Sequence, residues 1–120
     1  MDKPLVFPAL LSNPRQWDDR DWEPFREGIE ISWVHRPDSE EGPSSAFLRY
    51  GPGASVPAHQ HPAFEYILVL EGSQTDDNGC HQAGSLVINP PGTGHAVRSE
   101  EGCLVLAIWE QPVRFTKTTS

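Results

Sequence analysis

Three histidines and one glutamate carry the chemistry legible in this chain. His59 and His61 stand two residues apart, so on an extended segment both side chains point to one face. Glu65 follows across Pro62-Ala63-Phe64, where the proline permits a bend before the next strand. His95 lies far along the chain, behind the turn sequence Pro90-Pro91-Gly92. Neutral imidazole and carboxylate together suit Fe(II), Mn(II), Ni(II), Co(II) and Zn(II), and nothing in the donor types selects one of them. Two ligands on one strand, one on its neighbour and one on a strand brought alongside would surround a single divalent ion and leave positions open for a small molecule. His35 and His81 have no partner at such spacing and read as ordinary satisfied polar residues.

Elements that place these donors must be short. The chain has 120 residues with 12 prolines and 10 glycines, which leave little uninterrupted length for helix. Between them lie runs of β-type sequence at residues 29–35, 46–50, 66–70, 85–88, 95–99 and 103–109. Asp76-Asp77-Asn78-Gly79 reads as a hairpin turn, because Asn-Gly readily adopts positive φ. Residues 13–27 read as a loop with a helical turn, residues 36–45 as a polar loop, and 116–120 as a frayed tail. Residues 4–11 read as an edge strand or arm. Many short strands at this spacing predict an all-β sandwich or barrel.

The motifs then point to a family. Gly53, five residues, His59-x-His61, three residues, Glu65, six residues and Gly72 make the first; Gly84, five residues, Pro90-x-Gly92, two residues and His95 make the second, with Ser99 where an Asn is usual. In both the chain resembles the cupins. The resemblance implies a single double-stranded β-helix, the jelly-roll barrel, mostly antiparallel and spanning residues 1–120, with an arm over 1–27 and the motifs at 53–72 and 84–99. It implies one divalent metal ion per chain on His59, His61, Glu65 and His95. Phe64-Glu65-Tyr66-Ile67-Leu68-Val69-Leu70-Glu71-Gly72-Ser73, Ala83-Gly84-Ser85, Asn89-Pro90-Pro91-Gly92, Arg98-Ser99-Glu100-Glu101-Gly102-Cys103 and Trp33 resemble the ChrR-type cupins more narrowly. Nothing corresponds to the zinc-binding helical domain with which ChrR grips its sigma factor, so an anti-sigma activity is not implied. These cupins are similar to acetylacetone-cleaving dioxygenases, some of which hold iron with three histidines.

Two functions are therefore expected as alternatives. One is a small mononuclear metal-dependent dioxygenase or related enzyme acting on an enolisable, diketone-like molecule, with Glu65 as ligand or general base. The other is a non-catalytic metal or small-molecule sensing module. Phe64, Tyr66 and Trp109 are candidates for the pocket wall. Arg49 and Arg98 are candidates for binding a substrate carboxylate, with a solvated or ion-paired role as the alternative. A homodimer is expected through the apolar arm and the Trp-rich first strand.

Composition bounds the rest. The apolar share of 37% and charged share of 22% are globular. A net charge of -8 repels phosphate backbones and argues against nucleic acid. No run of about 20 apolar residues suggests a membrane span. Cys80 and Cys103 form no CxxC pair, and with no sign of a secretory leader a reduced, cytoplasmic setting is expected.

Overall fold

Period-two alternation writes the strands, and the phase of each decides what faces inward. A computed structural model describes residues 3–115, without the side chains of Pro14 and Arg15; the tail expected at 116–120 lies outside the described residues. It holds β1 (Glu23–Arg26), β2 (Ile29–His35), β3 (Ser44–Tyr50), β4 (Ser55–Gln60), β5 (Glu65–Asp76), β6 (Gly79–Gln82), β7 (Leu86–Asn89), β8 (Gly94–Arg98), β9 (Cys103–Trp109) and β10 (Arg114–Phe115). A 3-10 turn at Pro14–Trp17 precedes them. Every ladder is antiparallel. Among the described residues no helix is long and apolar enough to cross a membrane.

The strands form one curled sheet whose hydrogen-bonded path runs β1-β2-β3-β9-β5-β8-β4-β10, with β6 and β7 added to β5. β5 belongs to both halves. Its first part, from Glu65 to Gly72, lies between β7 and β9, while Ser73 to Asp76 pairs with β6 and Thr75 pairs with Arg98 of β8. The crossing falls at Gly72, whose φ is 70° and whose missing Cβ would stand 2.1 Å from the Gly102 carbonyl oxygen. Here a glycine serves close approach within a strand.

Inside the curl, Ile31, Leu48, Ile67, Val69, Val97 and Val105 are buried with their neighbours as the main core. The outer face of the first half is covered as well. Trp17, Phe47, Leu70 and Leu104 are buried there, with Phe7 and Leu10 packed against them. The N-terminal arm thus covers this face without forming a strand between residues 3 and 13. Its end already belongs to the barrel, because β1 pairs with β2.

The two ends of the path, β1 and β10, flank a seam. Arg26 of β1 places its guanidinium 4.0 Å from the centroid of the Phe115 ring of β10, across that seam.

Candidate metal centre

His59 reaches the interior through an irregularity. The β4–β8 register shifts between Val56 and His59, and Pro57 sits in the shift, where its missing N–H removes nothing from the ladder. Val56 and His59 are buried while Pro57 and Ala58 are exposed. Strict alternation from Val56 would have turned Ala58 inward. His59 then pairs directly with His95 across the ladder. His61 lies just past β4 and is pinned by its own backbone: its N–H donates to Thr93 O at 2.9 Å, and its carbonyl accepts from Gly92 N–H at 2.9 Å. Glu65 opens β5, opposite Asn89 on one side and Trp109 on the other.

The four side chains are buried and converge, with one ligand atom of each lying within 4.8 Å of all the others. Atoms about 2.1 Å from a common ion stand at most about 4.2 Å apart, so the widest pair must close by about half an ångström. The rings of His59 and His61 each stand 4.7 Å from that of His95 and nearly perpendicular to it.

Hydrogen bonding leaves every Nε2 available. His59 Nδ1 lies 2.9 Å from Pro57 O, and His95 Nδ1 lies 3.2 Å from Asp76 Oδ2; both partners only accept. His61 Nδ1 lies 3.0 Å from Thr93 Oγ1, whose own hydrogen goes to Pro90 O at 2.6 Å, so Thr93 accepts here too. All three rings are thereby set as Nδ1–H donors with an Nε2 lone pair turned inward.

Glu65 is gripped from both sides. Trp109 Nε1–H donates to Oε2 at 2.6 Å, and Asn89 Nδ2 donates to Oε1 at 3.0 Å. Oε1 also stands 3.0 Å from His61 Nε2 and 3.8 Å from His95 Nε2. The 3.0 Å approach is too poorly aligned to be a hydrogen bond, and His61 Nε2 remains a buried atom with no partner among the described residues. A lone pair facing a carboxylate oxygen in a dry site requires a cation or proton between them. The donor set therefore fits a divalent ion.

Ionisation agrees with this. Burial lowers the His59 imidazole; the Pro57 carbonyl opposes the shift, a charged His95 adds to it, and the net direction is downward, towards the neutral ligating form. Burial alone would raise Glu65, but positive charge on the His61 side and the Trp109 N–H outweigh it and hold the carboxyl below its usual value, the direction that a cation placed there would also give. Asp76 follows the same pattern: burial opposes its ionisation, while the hydrogen bonds from His81 and Asn78 N–H prevail.

His59, Glu65 and His95 also border a cavity inside the barrel, with Tyr50, Gln74 and Trp109 among its other walls. The space is small: a water's centre can occupy about 40 Å³ of it, a few times the minimum for one ordered water. Phe25 and Phe115 line it from the strands flanking the seam.

Of the five residues expected around a substrate, only Trp109 borders this cavity. The other four stand elsewhere, for reasons of phase. Glu65, Ile67 and Val69 point inward, so Tyr66 points outward, stacked on Phe64 at 5.9 Å. Leu48 and Tyr50 border the cavity, so Arg49 faces out, bound to Glu30 at 2.8 Å and lying over the Trp22 ring at 4.1 Å. Arg98, beyond buried Val97, is exposed and 3.6 Å from Glu100.

The residues that orient the ligands were not singled out from the sequence. Asp76 looked like a turn residue, Asn89 like the end of a strand and Thr93 like part of a loop. Asp76 in fact joins the candidate ligand His95 to His81, whose Nε2 is 2.9 Å from its other oxygen. Asp76→Ala is expected to weaken metal binding about 10- to 100-fold, read by competition against a chromogenic chelator. Unchanged affinity would mean that packing alone orients His95.

A curled antiparallel barrel closed around a buried three-histidine, one-glutamate cluster defines a cupin whose interior fits a metal site. Residues 14–113 match the ChrR cupin-like domain family, and the chain belongs to that family. No curated protein sequence matches it. Among solved structures it is similar to a chain of the complex between SigE and the anti-sigma ChrR of Rhodobacter sphaeroides, with 21% identity and a TM-score of 0.72, covering 87% of this chain and 60% of that one. An acetylacetone dioxygenase from Acinetobacter johnsonii shares 16% identity with a TM-score of 0.75, covering 98% and 79%. An RmlC-like cupin from Ralstonia eutropha JMP134 shares 20% identity with a TM-score of 0.71, covering 80% and 66%. At these identities the likeness is one of fold, and the chain spans only about 60% of the ChrR-complex chain it matches.

Proposed function

We propose that the protein is a mononuclear metal-dependent enzyme, of dioxygenase type, acting on a small enolisable molecule such as a β-diketone. The observation that carries this reading is the inward-facing donor set beside a cavity, with three Nε2 lone pairs prepared and one of them unpartnered. A divalent ion on His59, His61, His95 and Glu65 would supply a Lewis-acid position facing the cavity and, as Fe(II), access to O₂ chemistry. The fold resemblance to an acetylacetone dioxygenase supports the choice of substrate class.

The chain's own residues do the remaining work. The largely apolar cavity wall suits a small carbon skeleton. Trp109 and Asn89 hold Glu65 by both oxygens, which favours a fixed ligand over a base that swings away. Elemental analysis of the purified protein is expected to find about one first-row metal ion per chain. The Fe(II)-loaded protein is expected to consume O₂ with 2,4-pentanedione in an oxygen-electrode assay. No uptake with any diketone or enolisable acid overturns the enzymatic reading.

Family membership supports a second reading, a metal or small-molecule sensing module read by a separate partner chain. It predicts a partner retained in only one metal state. Exposed apolar residues support the homodimer: Leu86, Ile88 and Ile108 on the sheet, Leu5, Val6 and Leu11 on the arm. Sedimentation as a monomer at micromolar concentration overturns it. Cys80 and Cys103 are free, which fits a reducing, cytoplasmic setting.

A further inference from the structure

The cavity wall carries two polar side chains that the ligand cluster does not use. Tyr50, at the end of β3, and Gln74, in the second part of β5, come from opposite halves of the sheet and meet inside the barrel. Both are buried, at 5% and 2% exposure, and both border the cavity together with His59, Glu65 and His95. Their immediate surroundings on the wall are apolar: Leu48, Val56, Ile67 and Val97.

A purely structural pair would satisfy itself, and this one does so poorly. Gln74 Nε2 donates to the Tyr50 hydroxyl oxygen at 3.4 Å, near the outer limit of a hydrogen bond. Among the described residues, neither the Tyr50 hydroxyl hydrogen nor Gln74 Oε1 makes another hydrogen bond. The pair thus offers one free donor and one free acceptor to the cavity. Burying such groups without partners is unfavourable, whereas a ligand that completes them recovers the loss. Burial, reinforced by nearby Cys103, pushes the Tyr50 hydroxyl above its usual value, which keeps its proton on the oxygen. The cavity is small, and the same space is bordered by the ligand cluster and by this pair.

We propose that Tyr50 and Gln74 form a specificity-determining subsite for a second oxygen function of the ligand, with the Tyr50 hydroxyl donating to a carbonyl or enolate oxygen and Gln74 Oε1 accepting from an enol hydroxyl. This rests on the metal-dependent reading above and narrows it: the ligand carries two oxygen functions, one directed at the four donors and one at this pair. A donor already aimed where enolate charge collects would stabilise that charge without reorganisation. The enol form of a β-dicarbonyl offers both the acceptor and the donor that the subsite demands.

The test uses Co(II)-loaded protein, whose visible spectrum reports ligand binding directly. Wild type, Tyr50→Phe and Gln74→Leu are titrated with 2,4-pentanedione, with its mono-oxygen analogue 2-pentanone, and with azide, which needs no second oxygen. Each substitution is expected to weaken pentanedione binding about tenfold or more, with Co(II) uptake and azide affinity unchanged. Wild type is expected to prefer pentanedione over 2-pentanone, and both variants to lose that preference. Variants that bind pentanedione as wild type does overturn the subsite. Variants that lose azide and Co(II) in equal measure overturn it too, since the pair would then be structural. Wild type that takes up Co(II) and azide but not pentanedione overturns the subsite while the metal site stands. Wild type that takes up no Co(II) overturns both proposals.

Discussion

Stripping the protein with a chelator is expected to lower its melting temperature by about 10–20 °C, and His95→Ala to make the melt insensitive to chelator. An ion that binds the folded chain alone, at a thousandfold excess over its dissociation constant, stabilises it by about 4 kcal/mol. For a domain of this length each kcal/mol moves the midpoint by about 3–5 °C. Without the ion, Glu65 Oε1 faces two Nε2 atoms at 3.0 and 3.8 Å with only protons to relieve the conflict. His95 is the informative position because it touches both His neighbours and draws its orientation from Asp76. Differential scanning calorimetry of wild type and variant, each with and without chelator, gives the four curves required. Identical wild-type curves would show that the cluster is held by protons alone.

Gly72→Ala is expected to cost more than about 4 kcal/mol, enough to leave much of the chain unfolded at 25 °C. Two penalties coincide there. The backbone has φ of 70°, and the added Cβ would lie 2.1 Å from the Gly102 carbonyl oxygen and 3.1 Å from Cys103 Cα. These are backbone atoms of the neighbouring strand and its lead-in, so nothing flexible can move aside. Gly84→Ala is the control, because its φ of 93° is equally unfavourable but nothing lies within 4 Å of the added carbon. It is expected to cost about 1–3 kcal/mol. Urea unfolding of both variants separates the steric part from the conformational one, and equal midpoints would deny the close approach at Gly72.

The candidate ligands were legible because their signal is local. Spacing placed His59 and His61 on one face, and the second motif placed His95 at the opening of its own strand. The boundaries of β2 and β9, at Ile29–His35 and Cys103–Trp109, were legible because both are rich in β-branched and aromatic residues. Polar strands were not. Ser73, Gln74 and Asp76 are buried in β5, yet Ser-Gln-Thr-Asp after Glu71-Gly72 reads as the approach to a turn. β4 was hidden by Pro57 and by the phase shift that it accompanies, and β1, β6 and β10 are too short to carry a pattern. The residues supporting the ligands were illegible for a different reason. Asp76 meets His95 across 19 residues of sequence, and Trp109, named only as a pocket-wall candidate, meets Glu65 across 44. Arg49 and Arg98 were chosen for charge, and each stands one position from a residue that borders the cavity.

β5 carries Glu65 at its first residue and Asp76 at its last, and its crossing at Gly72 admits no side chain. That arrangement bears on how the chain can diverge over generations. Added residues are tolerable in the 36–43 loop or at the 77–78 turn, where no ladder crosses them. A single residue inserted between Gly72 and Asp76 would reverse the inward phase of Asp76 and strip His95 of its acceptor. All four donors would still stand in the text of such a descendant, with its motifs intact to the eye. A lineage could in this way keep the spelling of the site while losing its use, and only the length of one strand would record the change.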